Sequence, residues 1–306
     1  MSTMNELKSS EAASVAPSKK RYRELAKEYD ALDWEYIRAK NAIIDERRER
    51  LRDLKDAYKI KKLAVATPLK AQRYANRVEA KRRHRAMNEA PRRGLLEEVG
   101  NSVSHGLGAI FGLVALVLMI LKAKDGWALT AAIIFGSCFF LQMLFSCLYH
   151  AFRGGSTVKR IFRRFDYSSI YLEVGGTLTP LYLIYMGRHP LFGVLGQAWG
   201  IAFFATAWTL IVTGITFVAV FGPGRLRWLH FTLYFAIGWS AIAFIPSWIE
   251  HSLPLLLWIL AGGVTYTIGM IPFATLKGKQ GAHFIWHIVV LLAAIFMWVG
   301  IYLYVF

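Results

Sequence analysis

His283 and His287 stand four residues apart in the string His-Phe-Ile-Trp-His. On a helix, positions i and i+4 share a face, so both imidazoles can point at one atom. His150 follows Ser146 by the same interval in Ser-Cys-Leu-Tyr-His, and Asp166 opens the run Asp-Tyr-Ser-Ser. Three imidazoles and a carboxylate suit a zinc ion with an open position. Three nitrogens bind at about 2.0–2.1 Å, and the fourth place is left for a water whose pKa falls to about 7. In that chemistry Asp166 holds or deprotonates the water, and Ser146 orients His150 or steadies an oxyanion. The histidine pair alone would also suit two side chains resting at headgroup level; His150 and Asp166 on the same membrane face turn the pair into a constellation. Three histidines serve several divalent ions, and zinc fits a redox-inert tetrahedral site best.

Residues so far apart in sequence need elements that return them to one place. The chain has 306 residues, a formal net charge of +17 and 55% apolar residues, with a mean hydropathy of +0.36. Residues 1–100 hold 25 of the 37 basic and 16 of the 20 acidic residues. Past them the acids are Asp125, Asp166, Glu173 and Glu250. This split excludes one uniform globular domain and describes a charged segment followed by a membrane-embedded one. Seven apolar runs are expected to span, at 102–121, 127–149, 168–187, 199–220, 228–249, 254–274 and 283–305. The fold class is therefore an all-α membrane protein of seven transmembrane helices with a charged helical amino-terminal extension. The expected domains are a disordered tail (1–19), the extension (20–94) and the membrane domain (95–306).

Basic residues cluster on one side: Arg153, Lys159, Arg160, Arg163 and Arg164 before span 3, Arg225 and Arg227 before span 5, Lys277 and Lys279 before span 7. The other side holds Lys122, Lys124 and Arg188. That bias places the amino terminus in the cytoplasm and Phe306 outside, with the plasma membrane the expected location. The ends of spans 2, 4 and 6 and the starts of 1, 3, 5 and 7 then meet at the cytoplasmic face, where His150, Asp166, His283 and His287 all fall.

The extension reads as an amphipathic helix through residues 20–66, suited to a coiled-coil contact with a like or unlike partner, and Pro68 is expected to break it. Lys81, Arg82, Arg83 and Arg85, with Arg92 and Arg93, form a juxtamembrane cluster. It suits anionic lipid headgroups, or serves topology alone. No stacking platform or DNA-binding motif accompanies this charge, so nucleic acid is not expected as a partner. Cys138 and Cys147 form no disulfide framework. The first 20 residues lack an apolar core, so the first span is expected to direct insertion. Gly175, Gly176, Gly262, Gly263 and Gly269 suit close helix approach, and Pro180, Pro246 and Pro272 suit bends. His105 is a packed histidine against Gly106 and Gly108, a spare ligand, or a donor behind the metal ligands. Glu173, two turns deeper than Asp166, either lines a cavity or is a protonated carboxyl bonded to a neighbouring helix.

The runs from Glu98 to Gly108, Ser146 to His150, Asp166 to Pro180 and Gly262 to Gly269, followed by His283-Phe-Ile-Trp-His287, resemble the hemolysin III proteins. Those belong with the progestin and adipoQ receptors and, more distantly, the alkaline ceramidases. The resemblance covers residues 95–306 and rests on the set of motifs in this order. It implies seven membrane helices and a zinc held by His150, His283 and His287, with Asp166 and Ser146 beside it. It also implies zinc-dependent hydrolysis of lipid amides or related bonds, linked to membrane homeostasis. Two other functions stay open: a pore or cytolysin, needing a polar path within or between subunits of an oligomer, and a receptor or regulator with a closed structural zinc.

Overall fold

A computed structural model describes residues 19–91, 93–275 and 281–306. The expectations for residues 1–18, Arg92, Lys277 and Lys279 lie outside the described residues. The chain forms two compact units, residues 1–82 and 83–306. In the first, α1 (Lys19–Ala66) ends just before α2 (Pro68–Asn88). Pro68 lacks an N–H and so opens a helix but cannot continue one. Asp53 of α1 pairs with Arg82 of α2 at 2.9 Å, and Tyr74 donates to Asp56 at 3.0 Å, so the two helices form a hairpin. Leu32, Tyr36, Ile43, Leu51, Leu54 and Tyr58 of α1 remain exposed.

The second unit is entirely helical, without a strand among the described residues. Its helices are α3 (Leu95–Lys122), α4 (Gly126–Ala151), α5 (Thr157–Pro180), α6 (Gln197–Phe221), α7 (Arg227–Trp239), α8 (Ile245–His251), α9 (Leu253–Thr275) and α10 (Ala282–Tyr304). A tight turn at Ser240–Phe244 joins α7 to α8, and Pro246 sits in the first turn of α8. Asp125 caps α4 by accepting from Ala128 N at 2.8 Å, and Ser156 caps α5 by accepting from Lys159 N at 3.0 Å. These short polar side chains meet amide groups that a helix start leaves unpaired.

Among the described residues, six stretches are long and apolar enough to cross a membrane: α3, α4, α6, α7 with α8, α9 and α10. Each falls on one of the expected apolar runs. The run at 168–187 differs. Its helix begins earlier, at Thr157, and so takes in Lys159, Arg160, Arg163, Arg164 and Asp166 before the apolar stretch. Beyond Pro180 the chain widens into a π turn at Leu181–Tyr185 before a last helical turn to Arg188. The proline removes one backbone donor from the helix, and the π turn follows directly after it.

Consecutive helices α3 and α4, α4 and α5, and α9 and α10 make the broadest contacts, and α10 packs back against α3. The carboxyl end of α4 therefore lies beside the amino ends of α3, α5 and α10. That arrangement gathers four helix ends around one point.

Candidate metal centre

His150, His283 and His287 come together at that point. One ligating nitrogen from each lies within 4.8 Å of the others. His287 Nε2 is 3.1 Å from His283 Nε2. His283 and His287 share the inner face of the first turns of α10, as their spacing requires, and His150 meets them from the last turn of α4.

Behind His150 stands a support built by α3 and α5. His150 Nδ1–H donates to Glu98 Oε2 at 2.6 Å. Lys159 Nζ lies 3.0 Å from Glu98 Oε1 and donates to the Phe152 carbonyl at 3.0 Å. Burial pushes the Lys159 ammonium below the usual lysine range, and the Glu98 carboxylate opposes that shift. Asn101 Nδ2 is 3.4 Å from His150 Nδ1. Glu98, Asn101 and His105 lie on one face of α3 at intervals of three and four residues. His105 Nε2–H donates to the His287 carbonyl at 3.1 Å, and the two rings sit 4.0 Å apart. His105 is thus a donor that fixes the first turns of α10.

The donor set fits a metal. With Nδ1–H committed to Glu98, His150 presents its lone pair at Nε2. That atom is buried and has no hydrogen-bond partner among the described residues. A histidine whose far nitrogen is held by a carboxylate is the usual form of a metal ligand. Two imidazole Nε2 atoms at 3.1 Å are also near the ~3.3 Å separation of nitrogens on a tetrahedral zinc.

Asp166, half-buried at the third turn of α5, hydrogen-bonds with Ser146. Both line a cavity of ≈ 240 Å³ that also receives His283 and His287. The cavity runs on past Glu173, Tyr266 and Trp248, mostly between apolar side chains. His230 is buried in its wall and bonded to Tyr171 OH through Nδ1 at 2.8 Å.

The basic cluster divides. Lys81, Arg82, Arg83 and Arg85 are exposed on α2. Arg93 instead reaches Tyr149 OH at 3.4 Å. His84 Nε2–H and Asn88 Nδ2 donate to the Phe221 carbonyl, both at 3.1 Å, and Arg163 donates to the Glu89 carbonyl at 3.1 Å. His84, Asn88, Glu89 and Arg93 are therefore bound to the helices of the second unit.

Sequence reasoning gave Glu98, Asn101 and Lys159 no role at the metal centre, and counted Lys159 only among the bases that set the topology. The signal was the 3-4 spacing of Glu98, Asn101 and His105 at the start of an apolar run. For Lys159 there was none, because it sits among four arginines that share its composition.

A family model described as haemolysin-III related matches residues 93–298. The chain belongs to this family. Hemolysin-3 of Bacillus cereus is 36% identical over 216 residues, covering 68% of this chain and 92% of that protein. The hemolysin-3 homolog of Bacillus subtilis (strain 168) is 33% identical over 199 residues, 64% of this chain and 88% of its own length. Family membership and the apolar helices together make this an integral membrane protein. The family match begins at residue 93, so the charged extension lies outside it.

Proposed function

We propose that this hemolysin III-like protein is a zinc-dependent hydrolase of a lipid amide or related bond. The observation that carries the reading is the orphaned Nε2 of His150, clustered with His283 and His287, which line a largely apolar cavity. His150, His283 and His287 would hold the metal. Bound there, zinc supplies Lewis acidity toward a carbonyl and makes water a stronger acid.

The protein's own residues do the rest. Glu98 keeps His150 in one tautomer, and His105 holds the backbone of His287. The apolar cavity takes the lipid chain and excludes bulk water. Asp166 accepts a proton at its carboxylate, which Ser146 Oγ–H orients. Water adds its oxygen to the acyl carbon, the C–N bond breaks, and the amine leaves with the proton that Asp166 gives back. A mostly apolar lining suits a bound chain better than an ion path. In this reading α5, continued to Arg188, is a seventh crossing, the amino terminus is cytoplasmic and Phe306 is outside. Lys81, Arg82, Arg83 and Arg85 face anionic headgroups of the plasma membrane.

The test is release of fatty acid from a fluorescent N-acyl lipid by full-length protein in vesicles. Asp166→Asn is expected to lower turnover by about 10²–10⁴-fold while zinc content is unchanged. Equal turnover by the variant and the wild type would overturn the mechanism.

A further inference from the structure

The cavity wall carries polar groups that the hydrolytic chemistry leaves unused. Glu173 and Gln142 line it and are 5% and 4% exposed. Glu173 Oε2 and Gln142 Oε1 are both buried without a hydrogen-bond partner among the described residues. Tyr266 OH, from α9, stands 3.5 Å from the other oxygen of Glu173. Buried polar atoms are ordinarily satisfied, and a carboxyl at membrane depth is costly to keep.

Glu173 and Gln142 share one level of the bundle. A Cβ added at Gly176 would lie 2.6 Å from Cys138 Cβ, so α5 and α4 touch there. Glu173 precedes Gly176 by three residues, and Gln142 follows Cys138 by four. In antiparallel neighbours both steps move one turn toward the histidines. Glu173 is also seven residues from Asp166 on α5, roughly 10 Å along the axis.

The geometry points to a second polar subsite, formed by Glu173, Gln142 and Tyr266, that binds a hydroxyl carried part-way along a lipid chain whose head lies at the histidines. This rests on the reading of the cavity as a lipid-chain site. A hydroxyl supplies the donor that Oε2 or Oε1 lacks, beside a Tyr266 whose own proton goes to the other oxygen of Glu173. It does so without bringing a charge into the hydrocarbon, which an ammonium would require. The substrate class is thereby narrowed to chains hydroxylated about 10 Å from the reacting bond.

Binding to the full-length protein in nanodiscs separates this subsite from the hydrolase reading. The probes are octadecanoic acid and two isomers bearing one hydroxyl, on carbon ten or on carbon two. The wild type is expected to bind the carbon-ten isomer roughly three- to tenfold more tightly than the plain acid. Glu173→Leu and Gln142→Leu are each expected to erase that ratio while still binding the plain acid, which also reports that they are folded. Equal binding of plain and carbon-ten acids by the wild type would overturn the subsite and leave the cavity reading intact. A preference that survives both leucine variants, or one equally large for the carbon-two isomer, would also overturn it. Failure of the wild type to bind any chain would overturn both.

Discussion

Glu98 holds His150 through one oxygen and Lys159 through the other. A glutamine there has one acceptor for two donors, His150 Nδ1–H and Lys159, so the ring is no longer held firmly in the tautomer that offers Nε2. Glu98→Gln is expected to weaken metal binding about 10–100-fold, measured by competition with a calibrated chelator. Unchanged affinity would mean that His150 is oriented by its packing alone. The ligands were legible in the sequence because His283 and His287 obey helical spacing and His150 ends an apolar run. Glu98 was not, because a carboxylate near the start of the first apolar run reads as one more charge at the end of a highly charged extension. Only the pairing of α3 with α4 shows that it meets a histidine 52 residues away.

At the scale of elements, Gly214 of α6 faces Tyr171 of α5. A Cβ there would collide with the tyrosine ring, which fixes His230 in the cavity wall. Two effects oppose each other in Gly214→Ala. The helix gains about 0.5–1 kcal/mol from losing glycine's freedom, and overpacking costs about 1–3 kcal/mol. Overpacking wins, so the variant is expected to unfold at lower temperature in detergent; a raised Tm would show that α5 and α6 have slack. Six apolar elements were readable from length and hydropathy. The helix at 157–188 was only partly so: its apolar residues begin two turns after its charged ones, and helical continuity through Arg163 and Arg164 depends on contacts such as Arg163 with the Glu89 carbonyl.

For the whole molecule, the decisive question is on which side each loop lies. Gly154, before α5, has open space at its Cβ, and Val194, after α5, is 75% exposed. Single cysteines at these sites, in a chain with Cys138 and Cys147 replaced by alanine, report whether α5 crosses. The seven-span account expects Val194→Cys to react with an impermeant maleimide on intact cells and Gly154→Cys to react only after permeabilisation. Labelling of both from one side would mean six crossings. The sequence predicted this topology from the clustering of Lys and Arg on alternate loops, which depends on charge alone and so needs no knowledge of packing. The cavity needs that knowledge, since residues from α3, α4, α5, α7, α9 and α10 all enter its wall.

The central claim is a metal held by three histidines, and elemental analysis of purified protein tests it most directly. The account expects about one zinc per chain in the wild type and none in His283→Ala/His287→Ala. A wild type that stays free of zinc after incubation with the ion, or a double variant that retains it, would contradict the account.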